Sequence, residues 1–145
     1  LIGLFNIFGT YSSGILGQRF PKRYLLSAIY LGRSIAITGF LLIPLSPWST
    51  YIFASIMGFL WLSTIPLTNG IVAQIFGVKY LTMLSGLVFF SHQLGSFCGA
   101  FFGGYLFDRT GSYLIVWEIA IALGVFAFLV NLPVKERALV RTAHA

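Results

Sequence analysis

The chain has 145 residues, of which 58% are hydrophobic and only 8% charged, with a formal net charge of +6. A soluble domain of this size carries about 25% charged residues, so lipid rather than water must surround most of this chain. Its mean hydropathy is +0.93. The excess of positive charge does not mark a nucleic-acid binder, because the basic residues sit at the ends of apolar runs and form no single stripe.

Five apolar runs predict five membrane-spanning helices at about 1–17, 24–45, 51–76, 81–107 and 113–132. The runs are too long and too uniformly apolar for barrel strands, so the predicted fold class is an all-α, polytopic bundle. The first span, at about 17 residues, lies at the short limit for crossing the hydrocarbon. The N-terminal part is expected to be missing, because the sequence begins with Leu1 inside an apolar stretch and shows no signal peptide.

The second span follows Gln18-Arg19-Phe20-Pro21-Lys22-Arg23, and Pro44 and Pro47 bracket the turn into the third. Gly77-Val78-Lys79-Tyr80 leads to the fourth span and Asp108-Arg109-Thr110-Gly111-Ser112 to the fifth. These Gly and Pro residues are the expected helix breakers. None of the connections has room for an extramembrane domain. The polar tail, 133–145, is too short to fold alone.

Charge sets an expected orientation. With the first connection inside, the inner segments hold Arg19, Lys22, Arg23, Lys79, Lys135, Arg137 and Arg141. The outer segments hold only Arg109, offset by Asp108. That bias places the C-terminus in the cytoplasm of a cell (inner) membrane.

One hexad, Gly-x-Leu-x-(Gln/Asp)-Arg, occurs twice. Gly14-Ile15-Leu16-Gly17-Gln18-Arg19 and Gly104-Tyr105-Leu106-Phe107-Asp108-Arg109 start 90 residues apart, with three apolar runs between them. Three crossings put the copies on opposite sides of the membrane, the pattern of an inverted three-helix repeat. Gly14 and Gly104 are expected to let a neighbouring helix approach. Gln18, Arg19, Arg23, Asp108 and Arg109 are expected to make interfacial contacts that hold or release a neighbour. A generic interfacial turn is the plainer explanation of either copy taken singly.

The stretch from Gly14 through Arg23 resembles the loop signature Gly-x-Leu-x-Asp-Arg-x-Gly-Arg-Arg of the major facilitator superfamily, departing from it at Gln18 and Pro21. Gly103-Gly104-Tyr105-Leu106-Phe107-Asp108-Arg109-Thr110-Gly111-Ser112-Tyr113, Pro66-Leu67-Thr68 and Ser91-His92-Gln93-Leu94-Gly95 resemble the bacterial monocarboxylate-transporter-like branch. The resemblance implies that the five spans are helices eight to twelve, with helix seven and the N-terminal half absent. It further implies alternating access, an ion gradient (often protons) as driving force, and a small organic solute such as a monocarboxylate. The first, third and fourth spans would line the cavity; the second and fifth would support them.

Polar residues at membrane depth are the site candidates. Trp61, Thr64 and Thr68 recur at helical spacing around Pro66 and suit a midplane substrate face, or the two threonines bond back to their own helix. His92, with Gln93 beside it, lies about 16 Å into its span. It suits an anionic substrate or a coupled proton, or else a neutral hydrogen bond to a neighbour. Asn6 is a neutral candidate. Arg33 lies about 15 Å past Arg23 and must face protein or water. An ion pair or carbonyl contact is its expected role, with substrate binding the alternative. Glu118 sits about 8 Å below the outer surface, close enough to reach the interface. Asn69 and Gln74 lie near the inner end and are expected to bond neighbours.

Gly95, Gly99 and Gly103 form a ridge at intervals of four, extended backwards by Ser91, for close helix packing. Cys98 reads as a packing residue. No enzyme motif is present, and His92 and His144 are separated by a span, so neither a metal site nor a cofactor is expected. The expected partners are the bilayer, the missing half and the solute. The rival class is a channel or scaffold subunit complete with five helices.

Overall fold

The computed structural model describes residues 1–138 and is helical almost throughout, with no strand among those residues. The helices are α1 (Ile2–Arg19), α2 (Lys22–Leu42), α3 (Pro47–Trp61), α4 (Thr64–Phe76), α5 (Leu81–Thr110) and α6 (Leu114–Asn131), with a 3-10 turn at Val78–Tyr80. Arg141 and His144 lie outside the described residues.

Among the described residues, four stretches are long and apolar enough to cross a membrane: Lys22–Leu42, Pro47–Phe76, Val78–Thr110 and Leu114–Asn131. Helix α1 is long enough at 18 residues but is not among them. It carries Asn6, Thr10, Ser12, Ser13, Gln18 and Arg19. Of these only Ser13 is buried, on a packed face it shares with Gly9 and Gly17.

The third predicted span is one apolar stretch, Pro47–Phe76, interrupted within its length. It begins at Pro47, four residues before 51, and it is two helices. Ser46 caps α3 and, with Ser49, forms a reciprocal capping box, and Pro47 fits the first turn, where its missing N–H costs nothing. The interruption falls at Leu62 and Ser63. Pro66 cannot donate to the Leu62 carbonyl, and its ring crowds that oxygen. The Ile65 N–H bonds it instead, at 3.1 Å. Trp61 therefore ends one helix and Thr64 starts the next, so Trp61, Thr64 and Thr68 do not share one uninterrupted helical face.

Small residues set the packing. Helix α1 lies against α3 and α4 through Gly9, Ser13 and Gly17, which recur every four residues and form one face. A Cβ on Gly9 would overlap the Phe59 carbonyl oxygen, and one on Gly58 would come within 2.7 Å of the Ile2 carbonyl oxygen. Helix α2 packs most extensively on α6. Ser27 donates to the Phe128 carbonyl at 3.2 Å and Ser34 to the Ile121 carbonyl at 3.1 Å. Opposite Ser34 stands Gly124, where a Cβ would overlap the serine hydroxyl.

Helix α5 is different. Its 30 residues reach about 45 Å, yet Gly103 is its one buried residue. It touches α4, where Ser85 donates to Asn69 at 2.9 Å, and more lightly α6. The ridge at Gly95 and Gly99 has nothing within 4 Å. The small-residue face read from the sequence is thus present, but among the described residues it meets a helix only at its Gly103 end, against α6.

Candidate functional site

The break between α3 and α4 exposes backbone groups that a continuous helix would pair internally. Two other helices supply partners. From α1, Asn6 accepts the Leu62 N–H at 3.3 Å through Oδ1. From α2, Arg33 donates through Nη2 to the Leu60 carbonyl at 2.7 Å and the Trp61 carbonyl at 2.5 Å. The guanidinium also stands 5.5 Å from the ring centroids of Tyr30 and of Trp61, so aromatic faces surround part of the charge. Non-helical backbone at membrane depth is tolerated only where protein or water satisfies it, and Asn6 and Arg33 do so here. Arg33 Nε is buried without a hydrogen bond.

Of the two roles expected for Arg33, the carbonyl contact is the one formed. No ion pair joins it to Glu118, which is exposed on α6, and no salt bridge occurs among the described residues. The guanidinium thus carries its positive charge without a carboxylate beside it.

Beside the break lies a cavity of about 160 Å³. Gly9 and Ser13 of α1, Ile29 of α2, Leu60 of α3, and Ser63 and Leu67 around the break contribute to its walls. Two of its three serine hydroxyls are turned into the backbone, Ser13 donating to Thr10 at 3.0 Å and Ser63 to Phe59. The lining of the void is mainly apolar.

The other cavity candidates are not gathered there. Thr68 donates to the Thr64 carbonyl at 2.8 Å, and Thr64 makes a long 3.5 Å contact with the Trp61 carbonyl. Both threonines thus bond back to their own chain segment. His92 and Gln93 lie on the exposed face of α5 and make no hydrogen bond among the described residues.

The two hexads close the last turns of α1 and α5 rather than forming loops. The first glycine of each hexad meets no neighbouring helix among the described residues. Gly14 and Gly104 have nothing within 4 Å, whereas Cβ atoms on Gly17 and Gly103 would meet Leu67 at 2.8 Å and Val116 at 3.9 Å. The close approach is made one helical turn later in the first copy and one residue earlier in the second. At the first hexad, Lys22 donates to Gln74 at 3.0 Å and Gln74 to the Glu136 carbonyl at 2.9 Å. Arg23 reaches the Val134 carbonyl at 3.0 Å, and its backbone N–H meets Glu136 Oε1 at 2.6 Å. These bonds bring the α1–α2 connection, the end of α4 and the segment after α6 to one end of the bundle. Helix α5 then runs away from that end, so Asp108 and Arg109 finish at the other. There Arg109 lies 5.1 Å from the Tyr105 ring centroid, and Gly111, at φ +68°, stops the helix in the left-handed region.

Sequence reasoning missed two features: the small face of α1 and the convergence of Asn6 and Arg33 on one break. The first was visible as Gly9, Ser13 and Gly17 at intervals of four; the second needed the depths of three helices to be compared.

Several membrane-crossing helices, one interrupted at mid-depth and braced by an amide and a guanidinium, define a helical membrane protein of the transporter class. The Major Facilitator Superfamily matches residues 1–145, the whole sequence, and the chain belongs to that family of membrane transporters. No curated protein and no solved structure matches it.

Proposed function

We propose that the chain forms part of a secondary active transporter that moves a small organic anion, a monocarboxylate being the leading class, by alternating access. The observation that carries this reading is the break at Leu62 and Ser63, held by Asn6 and Arg33 from two other helices. Broken helices at mid-depth are where such transporters place their binding sites. Backbone groups held by side chains, next to an apolar void, can be exchanged for a solute's groups without leaving polar atoms bare. The unmatched charge of Arg33 favours an anion.

In this reading the chain supplies helices eight to twelve, and the open face of α5 with His92, Gln93, Gly95 and Gly99 packs on the other half across the cavity. His92 is the candidate for a coupled proton. The basic end, with Arg19, Lys22 and Arg23, faces the cytoplasm of the cell (inner) membrane, as does the C-terminus. The hexads act at the two faces as contacts made in one state and broken in the other.

The test is uptake into proteoliposomes by the full-length protein, using a panel of radiolabelled monocarboxylates and neutral analogues of matched size. Saturable, gradient-driven uptake of an anion, reduced by Asn6→Leu and by Arg33→Met, supports the reading. Solute flux that does not saturate, or that persists as a steady ionic conductance, assigns the protein to the channel class.

A further inference from the structure

The basic end of the bundle holds a second concavity, unconnected with the break. It is an open groove of about 660 Å³ between the α1–α2 connection, the end of α4 and the segment after α6. Among the described residues its cations are Arg19, Lys22, Arg23, Lys135 and Arg137, against one carboxylate, Glu136.

Their hydrogen bonds divide them into two groups. Lys22 and Arg23 are used inside the protein, fastening the walls to each other through Gln74 and the Val134 carbonyl. Glu136 receives the Arg23 N–H. Arg19, Lys135 and Arg137 are exposed and make no hydrogen bond or ion pair among the described residues. Helix placement alone explains why cations gather at this end. It does not explain why three of them border one groove whose walls are held by the other two. Phe20 and Pro21 lie in the same groove and are exposed, so its rim is apolar as well as basic. A guanidinium binds phosphate through paired N–H donors, and two guanidinium groups with an ammonium suit more than one phosphate oxygen.

We infer that this groove binds the phosphate headgroup of an anionic phospholipid, held by Arg19, Lys135 and Arg137 while the acyl chains run down past Phe20. The chemistry recognised is a phosphate ester. The lipid source is favoured over a soluble phosphate by position, since the groove opens where membrane-spanning helices end and its rim carries an aromatic ring. The inference requires only that the bundle sits in a bilayer and is independent of which solute is transported.

The experiment is native mass spectrometry of the full-length protein, titrated with phosphatidylglycerol, with phosphatidylethanolamine of the same acyl chains, and with inorganic phosphate as competitor. The wild type is expected to retain phosphatidylglycerol preferentially. Each cation near a membrane surface contributes about fivefold in affinity, so the double variant Arg19→Gln/Arg137→Gln should lose roughly 25-fold. Glu136→Gln keeps an acceptor for the Arg23 N–H and removes the groove's one acid, so it should tighten binding. Arg109→Gln, at the opposite end, should leave it unchanged. Equal retention of the two lipids overturns the inference, and so does an equal loss in Arg109→Gln, which would mean unspecific surface charge. Full displacement by millimolar inorganic phosphate overturns the lipid source. Helical circular dichroism of each variant identifies a double variant that has not folded, and the Glu136→Gln comparison then decides alone.

Discussion

Replacing Arg33 by methionine separates two effects that act on the same side chain. In the structure its Nη2 bonds the Leu60 carbonyl at 2.7 Å and the Trp61 carbonyl at 2.5 Å. Methionine leaves both oxygens without that donor. Hydrogen bonds from a charged donor contribute about 1.5–3 kcal/mol each in soluble proteins. Inside a membrane the average falls to about 0.6 kcal/mol, because the unfolded helices find other partners. Two bonds therefore place the expected loss at about 1–3 kcal/mol, or roughly 5- to 150-fold in the folding equilibrium. Against this stands the cost of carrying an arginine at the centre of a helix, about 2.5–3.5 kcal/mol on insertion scales. That cost is present in the inserted chain whether or not the helices are packed, so it bears mainly on insertion. Arg33→Met should thus insert more readily and pack less stably. Titration of the full-length protein in mixed micelles with sodium dodecyl sulfate, followed by tryptophan fluorescence, reads the packing term. Arg33→Lys keeps the charge but not the planar fork and should fall between the two. In a double-mutant cycle with Asn6→Leu, the coupling should exceed about 0.5 kcal/mol, since both residues hold one break. A midpoint for Arg33→Met equal to or above the wild type refutes the argument, because desolvation would then outweigh the carbonyl bonds.

Four further outcomes are expected, two from named contacts, one from the titratable side chain of His92 and one from the distribution of charge. Pro66→Ala restores an N–H that can reach the Leu62 carbonyl and should join α3 to α4; thermal stability is expected to hold or rise while uptake falls at least tenfold, and unchanged uptake would separate the break from transport. Gly9→Val places a side chain where even a Cβ overlaps the Phe59 carbonyl and should destabilise by about 1–3 kcal/mol in the same titration, whereas Gly14→Ala should be neutral. His92→Gln preserves a hydrogen-bonding side chain but cannot titrate, so the pH dependence of uptake should flatten; an unaltered pH profile assigns His92 to structure. Cysteine introduced at Ser112 should react with an impermeant reagent in intact cells while cysteine at Lys79 is shielded, and the reverse pattern would invert the orientation.

The helices were legible because their apolar runs end at Gly, Pro and charged residues. The break was less so, although its cause was in view. Pro66 marks a bend, but the disrupted bond belongs to the carbonyl four residues earlier, which puts the interruption at Leu62 and separates Trp61 from Thr64. Small residues spaced by four carried a signal of the opposite kind. Gly9, Ser13 and Gly17 on α1, and Gly95, Gly99 and Gly103 on α5, have the same period. The first set is buried against α3 and α4, while in the second only Gly103 is buried. Periodicity identifies a face able to accept a helix; it carries no information about which helix arrives.

The residues that meet at the break lie at similar depth along their helices. Counting from the basic end at 1.5 Å per residue, Asn6 lies about 20 Å deep from Arg19, Arg33 about 16 Å from Lys22, and Leu62 about 21 Å from Phe76. These three fall within about one helical turn of each other, and they are the residues that meet. Glu118, about 20 Å from Asn131, and His92, about 16 Å from Leu81, share that depth and meet none of them. The difference is rotation about the helix axis. On α2, Ser27 and Ser34 turn one face to α6 and leave Arg33 facing the break. On α1, Gly9, Ser13 and Gly17 fix the face laid on α3 and α4, and Asn6 is carried to Leu62 by that contact. On α6 the face that receives Ser34 is the one with Gly124, and Glu118 is left exposed. A polar residue at mid-depth therefore becomes part of the site only when the small residues on its own helix turn it there. Exchanging Ser34 for leucine tests this directly: the larger side chain should displace α6, rotate α2 and weaken the Arg33 contact, so Ser34→Leu should remove the coupling between Arg33→Met and Asn6→Leu. If the coupling survives, the small faces do not set the rotation.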